Sequence, residues 1–217
     1  MSRRDRMGLR ARARARHPAR MGEPAVKRPT RATYADLEAV PPHRVAELVR
    51  GVLHVFPRPA PRHAHASSRL GVKIGGPFGL GEGGPGGWRI LDEPELHVPD
   101  PAEPGEIDAV VPDFAGWRME RMPELPETAY FTVAPDWIGE VLSPSTAAFD
   151  RAEKMPLYAR EGVLHAWLVD PLARTLEVFA RNPDARWLLL AVHRDAARVR
   201  AEPFDAIELD LGVLWEK

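Results

Sequence analysis

The chain has 217 residues, with 30 Lys and Arg against 31 Asp and Glu and no cysteine; the length favours one compact domain, and the composition excludes disulfide scaffolds and thiolate metal sites. Any metal must be held by oxygen or imidazole. No apolar run approaches the roughly 20 residues of a membrane-spanning helix, and the first residues lack the apolar stretch of a secretory signal, so a soluble cytoplasmic protein away from membranes is expected.

The near-neutral total hides an asymmetry. Residues 1–31 hold ten arginines and Lys27 against Asp5 and Glu23, leaving 19 basic and 29 acidic residues, a net of −10, on the remainder. An acidic body argues against a broad basic nucleic-acid face, because non-specific affinity comes mainly from Lys and Arg meeting phosphates. Residues 1–30, with the run Arg10-Ala-Arg-Ala-Arg-Ala-Arg16, have too few large apolar residues to pack and are expected to be a disordered basic tail, with a single domain over 31–217. The tail is either a basic arm or an overextended start preceding Met21. The second reading is preferred, since alternating Arg-Ala carries no aromatic stacking residues.

Order is expected from Thr33-Tyr-Ala-Asp36, a helix N-cap with a capping-box variant, and Pro41-Pro42 ends that helix. Val45 to Phe56 reads as two β-rich pieces pivoting at Gly51. From His63 to Ile74 the apolar rhythm is helical, with Ala66, Leu70 and Ile74 spaced by four. The glycine-rich stretch Gly75 to Gly87 lacks the Gly-Lys-Ser/Thr ending of a phosphate cradle and is expected to be a long mobile loop. Strands are predicted at Arg89–Leu91 with Glu95–Val98, at Ala109–Phe114, at Trp137–Leu142, at His165–Val169, at Thr175–Phe179 and at Trp187–Val192. One helix is predicted from Thr146 to Arg160, and Phe204 to Trp215 is expected to close the sheet edge. Many strands and few helices indicate an α+β fold on a mixed central sheet flanked by helices.

Two acids and a lysine carry the chemistry. Asp113 and Glu140 end two apolar runs, and Lys154 follows on the predicted helix. Carboxylates hold a hard divalent cation, and a lysine orients the attacking water and offsets charge at the phosphate, which is what metal-dependent phosphodiester cleavage requires. The alternative is that acids end strands for solubility. Asp150, Lys154 and Tyr158, at i, i+4 and i+8, share one helix face, so Lys154 and Asp150 are either site groups or an exposed ion pair, and Tyr158 either catalytic or a packing residue with a wet hydroxyl. Pro156 inside this helix makes the alignment approximate. Ser143 and Ser145 have no neighbouring His-Asp pair and are expected to cap the helix near Thr146. Glu95 is a further candidate acid that spacing does not place.

Glu47-Leu-Val-Arg-Gly51, Val111-Pro-Asp113-Phe, Glu140-Val-Leu-Ser-Pro-Ser-Thr146, Asp150-Arg-Ala-Glu-Lys154, Tyr158, Gly162-Val and Trp167-Leu-Val-Asp-Pro171 occur in an order that resembles the Uma-type restriction endonuclease family of the PD-(D/E)xK nuclease superfamily. The resemblance runs from about Thr33 to Trp215. It implies a restriction-endonuclease-like core of four mixed strands flanked by helices, with Asp113 and Glu140 as ligands of Mg²⁺ or Mn²⁺ on neighbouring strands. Glu47, from an N-terminal helix, would complete the metal site. The superfamily's usual lysine position is Leu142 here, and the family is similar in using a lysine displaced onto the following helix, Lys154. The resemblance also selects His63 over His65 to approach the phosphate or water, against an ordinary surface histidine, and Glu47 stands against a solvent-facing acid. The implied activity is metal-dependent endonucleolytic hydrolysis, with DNA as partner and a homodimer left open. The alternatives are a catalytically inactive interaction module of the same fold and a hydrolase of RNA or a small phosphodiester.

Overall fold

The computed structural model describes residues 30–216, so the expected basic tail, apart from Thr30, lies outside the described residues. Thr33 caps α1 (Tyr34–Glu38): its hydroxyl accepts the Asp36 N–H while the Asp36 carboxylate accepts the Thr33 N–H, the reciprocal box that the spacing predicts. Then β1 (Arg44–Val49) and β2 (Val52–Pro57) form an antiparallel hairpin. Val49 stands opposite Val52, so the turn is Arg50-Gly51, at φ 52 and 70. Two left-handed residues are what a type I′ hairpin turn demands, and the Arg50 N–H is held by the Asp108 carboxylate.

α2 (Pro61–Ile74) opens on a proline, whose missing N–H costs nothing in a first turn. The glycine-rich stretch differs from the expected loop: Gly75–Leu80 continues α2 as a π-helical turn, anchored by buried Phe78 and stopped by left-handed Gly81. Next come β3 (Trp88–Asp92), β4 (Leu96–Pro99), β5 (Ile107–Val110), β6 (Phe114–Arg118) and β7 (Trp137–Val141). After a short α3 (Ala147–Phe149), a π-helical turn at Asp150–Lys154 and α4 (Met155–Arg160), the chain adds β8 (His165–Asp170), β9 (Thr175–Arg181) and β10 (Trp187–Arg194). β11 (Arg198–Val199), β12 (Leu209–Asp210) and α5 (Gly212–Trp215) finish it.

The strands form two larger sheets. A six-stranded sheet has the order β10-β9-β8-β7-β6-β3, antiparallel except for the pair β7 and β8. That pair is parallel because the helical segment between them returns the chain to the same end of the sheet. A four-stranded antiparallel sheet has the order β2-β1-β5-β4. The α+β class and mixed sheet stand as expected, with six strands where the resemblance implied four. The single strand expected over Ala109–Phe114 is instead two: β5 belongs to the small sheet and β6 to the large one. Val111-Pro112-Asp113 carries the chain between them, where a proline without a ladder donor is tolerated.

Each face of the six-stranded sheet is covered. Ala66, Leu70 and Ile74 of α2 pack on one face with Trp88, Trp137, Trp167 and Phe204, whose rings meet largely edge to face. The other face packs Ile138, Leu142, Ala166 and Leu168 against Met155, Leu157 and Tyr158 of α4 and against Val49, Leu96 and Val110 of the small sheet. The C-terminal segment does not close an edge. It forms the small β11–β12 ribbon and α5, which join the α2 face of the core. Among the described residues no helix is long and apolar enough to cross a membrane.

Burial on both faces explains β7, whose five residues are all buried and which reads as a continuous apolar run broken only by Gly139 and Glu140. The glycine is required by packing. A Cβ at Gly139 would stand 2.9 Å from the Trp137 ring, two residues away on the same face. Gly139→Ala is therefore expected to lower stability by about 1–3 kcal/mol through overpacking, read as a reduced urea midpoint at unchanged slope.

Candidate active site

The two sheets diverge where β5 gives way to β6, and the candidate site occupies that junction. Phe114 pairs with Gly139, so the register carried one residue further sets Asp113 beside Glu140. The Asp113 carboxylate accepts the Val141 N–H at 2.7 Å, and the Asp113 N–H points to the Glu140 carboxylate at 3.4 Å. Asp113 is thus tied to the end of β7 through both its carboxylate and its N–H, and it stands on the crossing just before β6, where the resemblance implied a strand position. Glu47 arrives from the other sheet. It lies on β1, not on an N-terminal helix as the resemblance implied, because β-rich residues on both sides of the Arg50-Gly51 turn commit it to the hairpin. Its side chain is buried, not solvent-facing.

Lys154 is buried at 3% exposure and joins the two sheets. Its ammonium donates to Glu47 at 2.9 Å and to the Val111 carbonyl at 3.1 Å, and it stands 2.9 Å from Glu140 and 3.7 Å from Asp150. An ammonium has three N–H donors, and here three acceptors lie within bonding distance. Leu142, in the superfamily's usual lysine position, is apolar core.

The π-helical turn at Asp150–Lys154 accounts for Pro156. The Met155 N–H reaches back to the Asp150 carbonyl, one residue wider than an α-turn, and the helix restarts as α4 with Pro156 in its first turn, where no N–H is needed. The expected single helix is thus a composite. Tyr158 is buried, and its hydroxyl donates to Glu140 at 2.7 Å, so it is not a wet packing residue.

Burial and partners together set the protonation states. Burial pushes the Glu140 carboxyl well above its usual range; Lys154 opposes this, while Asp150, Asp113 and Glu47 reinforce it. Burial also raises Glu47 and Asp150. For Lys154, burial works against the charge, but Glu140 and Glu47 outweigh it and hold the ammonium well above its ordinary value. His63 is also buried, not on the surface. Its Nε2 lies 3.1 Å from Asp113, and although desolvation disfavours its charge, Asp113 raises its pKa overall, with help from Asp150 and Glu93.

These groups line one half-open cavity of about 250 Å³, together with Arg44, Phe56, Arg58, Glu93 and Phe149. Glu95 is not among them: it accepts from Tyr34 and pairs with His97. Glu93, in the left-handed turn after β3 at φ 48, takes the place expected of it and was not legible, because neither periodicity nor a motif marks it. The Ser143 hydroxyl bonds those of Ser145 and Thr146, and neither serine caps α3 through its side chain.

Among the described residues no group of three or more His, Asp or Glu side chains is gathered to hold an ion unaided. The oxygens still suit a hard cation. Glu47 Oε2 is buried without a hydrogen-bond partner, and the donors are carboxylates facing a cavity wide enough for water and a phosphate. Mg²⁺ characteristically takes one or two carboxylates and fills its remaining positions with water and substrate phosphate.

A mixed sheet with an acid pair at its parting strands and a buried lysine beside them is the arrangement of a restriction-endonuclease-like fold. Residues 31–212 match the Uma2 family, described as "Putative restriction endonuclease", and the chain belongs to that family. Its fold is similar to the crystal structure of a "putative nuclease belonging to DUF820" from Anabaena variabilis, with a TM-score of 0.63 and 21% identity over 84% of this chain and 97% of that one. It is also 37% identical over 65 residues to the uncharacterized protein slr1290 of Synechocystis sp.; the match covers 30% of this chain and 34% of that protein, so the chain spans about a third of the curated relative's length.

The raised carboxyls have a consequence for stability. A carboxyl whose folded pKa exceeds its unfolded value binds more protons when folded, so its contribution is complete below the unfolded pKa and is lost as pH rises. Glu140, Glu47 and Asp150 all act in that direction, and His63, also raised, adds to it above its ordinary range. His54 and His165, lowered by burial, act in the opposite sense. The comparison that isolates the site is therefore with Glu140→Gln: in metal-free buffer the melting temperature of wild type should fall relative to that variant as pH rises above about 4.5, the ordinary Glu range. A constant difference from pH 5 to 8 would contradict it.

Proposed function

We propose that the protein is a metal-dependent nuclease that hydrolyses phosphodiester bonds of DNA, using Asp113 and Glu140 as metal ligands, Glu47 to complete the metal site and Lys154 beside the attacking water. The observation that carries this reading is the Lys154 ammonium held between acids of two sheets at the floor of a cavity. An exposed helical ion pair would have neither that burial nor those partners.

Mg²⁺, or Mn²⁺ in its place, would polarise a phosphoryl oxygen and lower the pKa of a bound water. Asp113 and Glu140 would present the carboxylate oxygens, oriented by the Val141 N–H and the Tyr158 hydroxyl respectively. Lys154 stays protonated, so it orients water and offsets developing charge without accepting a proton. Of its three partners within bonding distance the Val111 carbonyl, at 3.1 Å, is the longest; exchanging that contact for the water leaves both carboxylates held. The water oxygen forms the new bond to phosphorus as the bond to the leaving sugar oxygen breaks. The proton released by the water and the one taken up by the leaving oxygen exchange with solvent through the open mouth.

Lys154→Ala should reduce Mg²⁺-dependent cleavage of plasmid or oligonucleotide by about 10²–10³ or more, the scale of losing one preorganised charge donor. It should also cost about 3–5 kcal/mol of stability, because buried carboxylates lose their counterion; circular dichroism at low temperature confirms that the variant assayed is folded. Cleavage at the wild-type rate would remove the role assigned to Lys154. Separately, millimolar Mg²⁺ or Mn²⁺ should raise the melting temperature by mass action, and Asp113→Asn should abolish that rise, read against the variant's own metal-free melt. An equal rise in both proteins would overturn the ligand assignment. Purified protein that cleaves no nucleic acid with either metal would favour the non-catalytic module.

A further inference from the structure

The cavity has a second wall that hydrolysis itself does not use. Besides the carboxylates it is lined by Phe56 of β2 and Phe149 of α3, with Pro57 and Pro59. The two rings lie 5.2 Å apart at 47°, and His54 packs on Phe149 at 4.3 Å. Both phenylalanines are only partly buried. The arginines of the lining, Arg44 and Arg58, are exposed, and the Arg58 guanidinium donates to the Pro42 carbonyl at one end of the hairpin.

The reacting groups at the floor are nearly sealed, with Glu47, Glu140 and Lys154 at 4%, 2% and 3% exposure. A phosphate that reaches them must therefore enter the cavity, and its nucleoside must follow. What the nucleoside meets is an aromatic and prolyl wall. A closed duplex makes a different demand: its two phosphate backbones call for an extended basic surface, whereas residues 32–217 carry a net of −10. Stacking on an aromatic face needs no such charge and accepts any base, and Arg44 and Arg58 are enough for a flanking phosphate.

We propose that Phe56 and Phe149 form a stacking wall for the base of an unpaired nucleotide whose phosphate lies at Asp113, Glu140 and Lys154, so that the substrate is single-stranded nucleic acid and not a closed duplex. This assignment rests on the nuclease reading of the same cavity. The wall selects for strandedness, and the base it receives is bound by its face rather than by its hydrogen-bonding edge.

The test is fluorescence anisotropy of the full chain with a fluorescein-labelled 12-nucleotide single strand, in deoxy and ribo forms, and with the matching duplex, in Ca²⁺ buffer that separates binding from cleavage. The single strand should bind at least ten-fold tighter than the duplex, and the deoxy and ribo arms report which sugar is preferred. Phe56→Leu keeps apolar packing against Phe149 but removes the π-face, and should weaken single-strand binding about ten-fold without changing the salt dependence. Phe56→Trp should retain or improve it. Equal or tighter duplex binding would overturn the proposal, as would undiminished single-strand affinity in a Phe56→Leu variant that melts like wild type. If Phe56→Leu does not fold, Phe56→Trp decides alone: a ten-fold loss on enlarging the stacking face would overturn the wall. In Mg²⁺, absence of cleavage with Phe56-dependent binding intact would defeat the hydrolytic reading while supporting this one.

Discussion

Lys154 is a buried cation whose neighbours come from three parts of the chain: Glu47 from the small sheet, Glu140 from the large sheet, and the Val111 carbonyl from the segment that passes between them. A buried ammonium is tolerated only if its desolvation is offset by close partners, and here two hydrogen bonds and a 2.9 Å ion pair to Glu140 supply them. The converse also holds, since Glu47 and Glu140 could not share this volume as carboxylates without a cation between them. The relation between the two sheets and the protonation of the site are thus two expressions of one interaction. A hydrophobic replacement could hold the sheets together as firmly, which is why the charged arrangement points to chemistry more than to stability.

Irregular backbone is concentrated around this ion cluster. The β5–β6 break puts a proline between a main-chain contact to Lys154 and the Asp113 carboxylate. The π-helical turn ends on Lys154 itself. Glu93, which lines the cavity, is left-handed. Regular strands and an uninterrupted α-helix would have fewer ways to aim these groups at one point, and π-turns in particular tend to mark functional positions because they re-aim a side chain at the cost of a weaker backbone bond. Gly139 is a related compromise, giving up its side chain so that the Trp137 ring can fold across β7 on the face opposite Glu140.

The two faces of the large sheet divide the labour. The α2 face is almost purely aromatic and aliphatic, with four tryptophans, phenylalanines and the C-terminal segment packed together, and it needs no polar partner beyond indole hydrogen bonds such as Trp167 to the Glu202 carbonyl. The opposite face carries every acid of the site except those supplied by β1 and the turn after β3. Polar groups there bond largely to one another, while Glu47 Oε2 and His63 Nδ1 are buried without a partner. A rigid apolar layer behind a polar one is what preorganised electrostatics requires.

Much of this was legible in the sequence. Alternation and turn residues located the hairpin at Gly51, the spacing of Ala66, Leu70 and Ile74 located α2, and the motif order identified the family and the acids Asp113 and Glu140, because these signals are local and a few residues long. What the sequence left open was whether charged residues far apart in the chain meet. Glu47 and Lys154 are separated by 107 residues; a buried ion triad and an exposed helical pair have the same local pattern, as do a surface histidine and His63 against Asp113. Glu95 and Glu93 show the limit most plainly, two acids two residues apart of which only Glu93 faces the cavity, since a single left-handed residue redirects the chain. Sequence determined which residue types were available and on which elements they ride. Only the packing of two sheets across the Val111–Asp113 crossing decided which of them share one desolvated volume, and desolvation is what converts ordinary carboxylates and a lysine into a site.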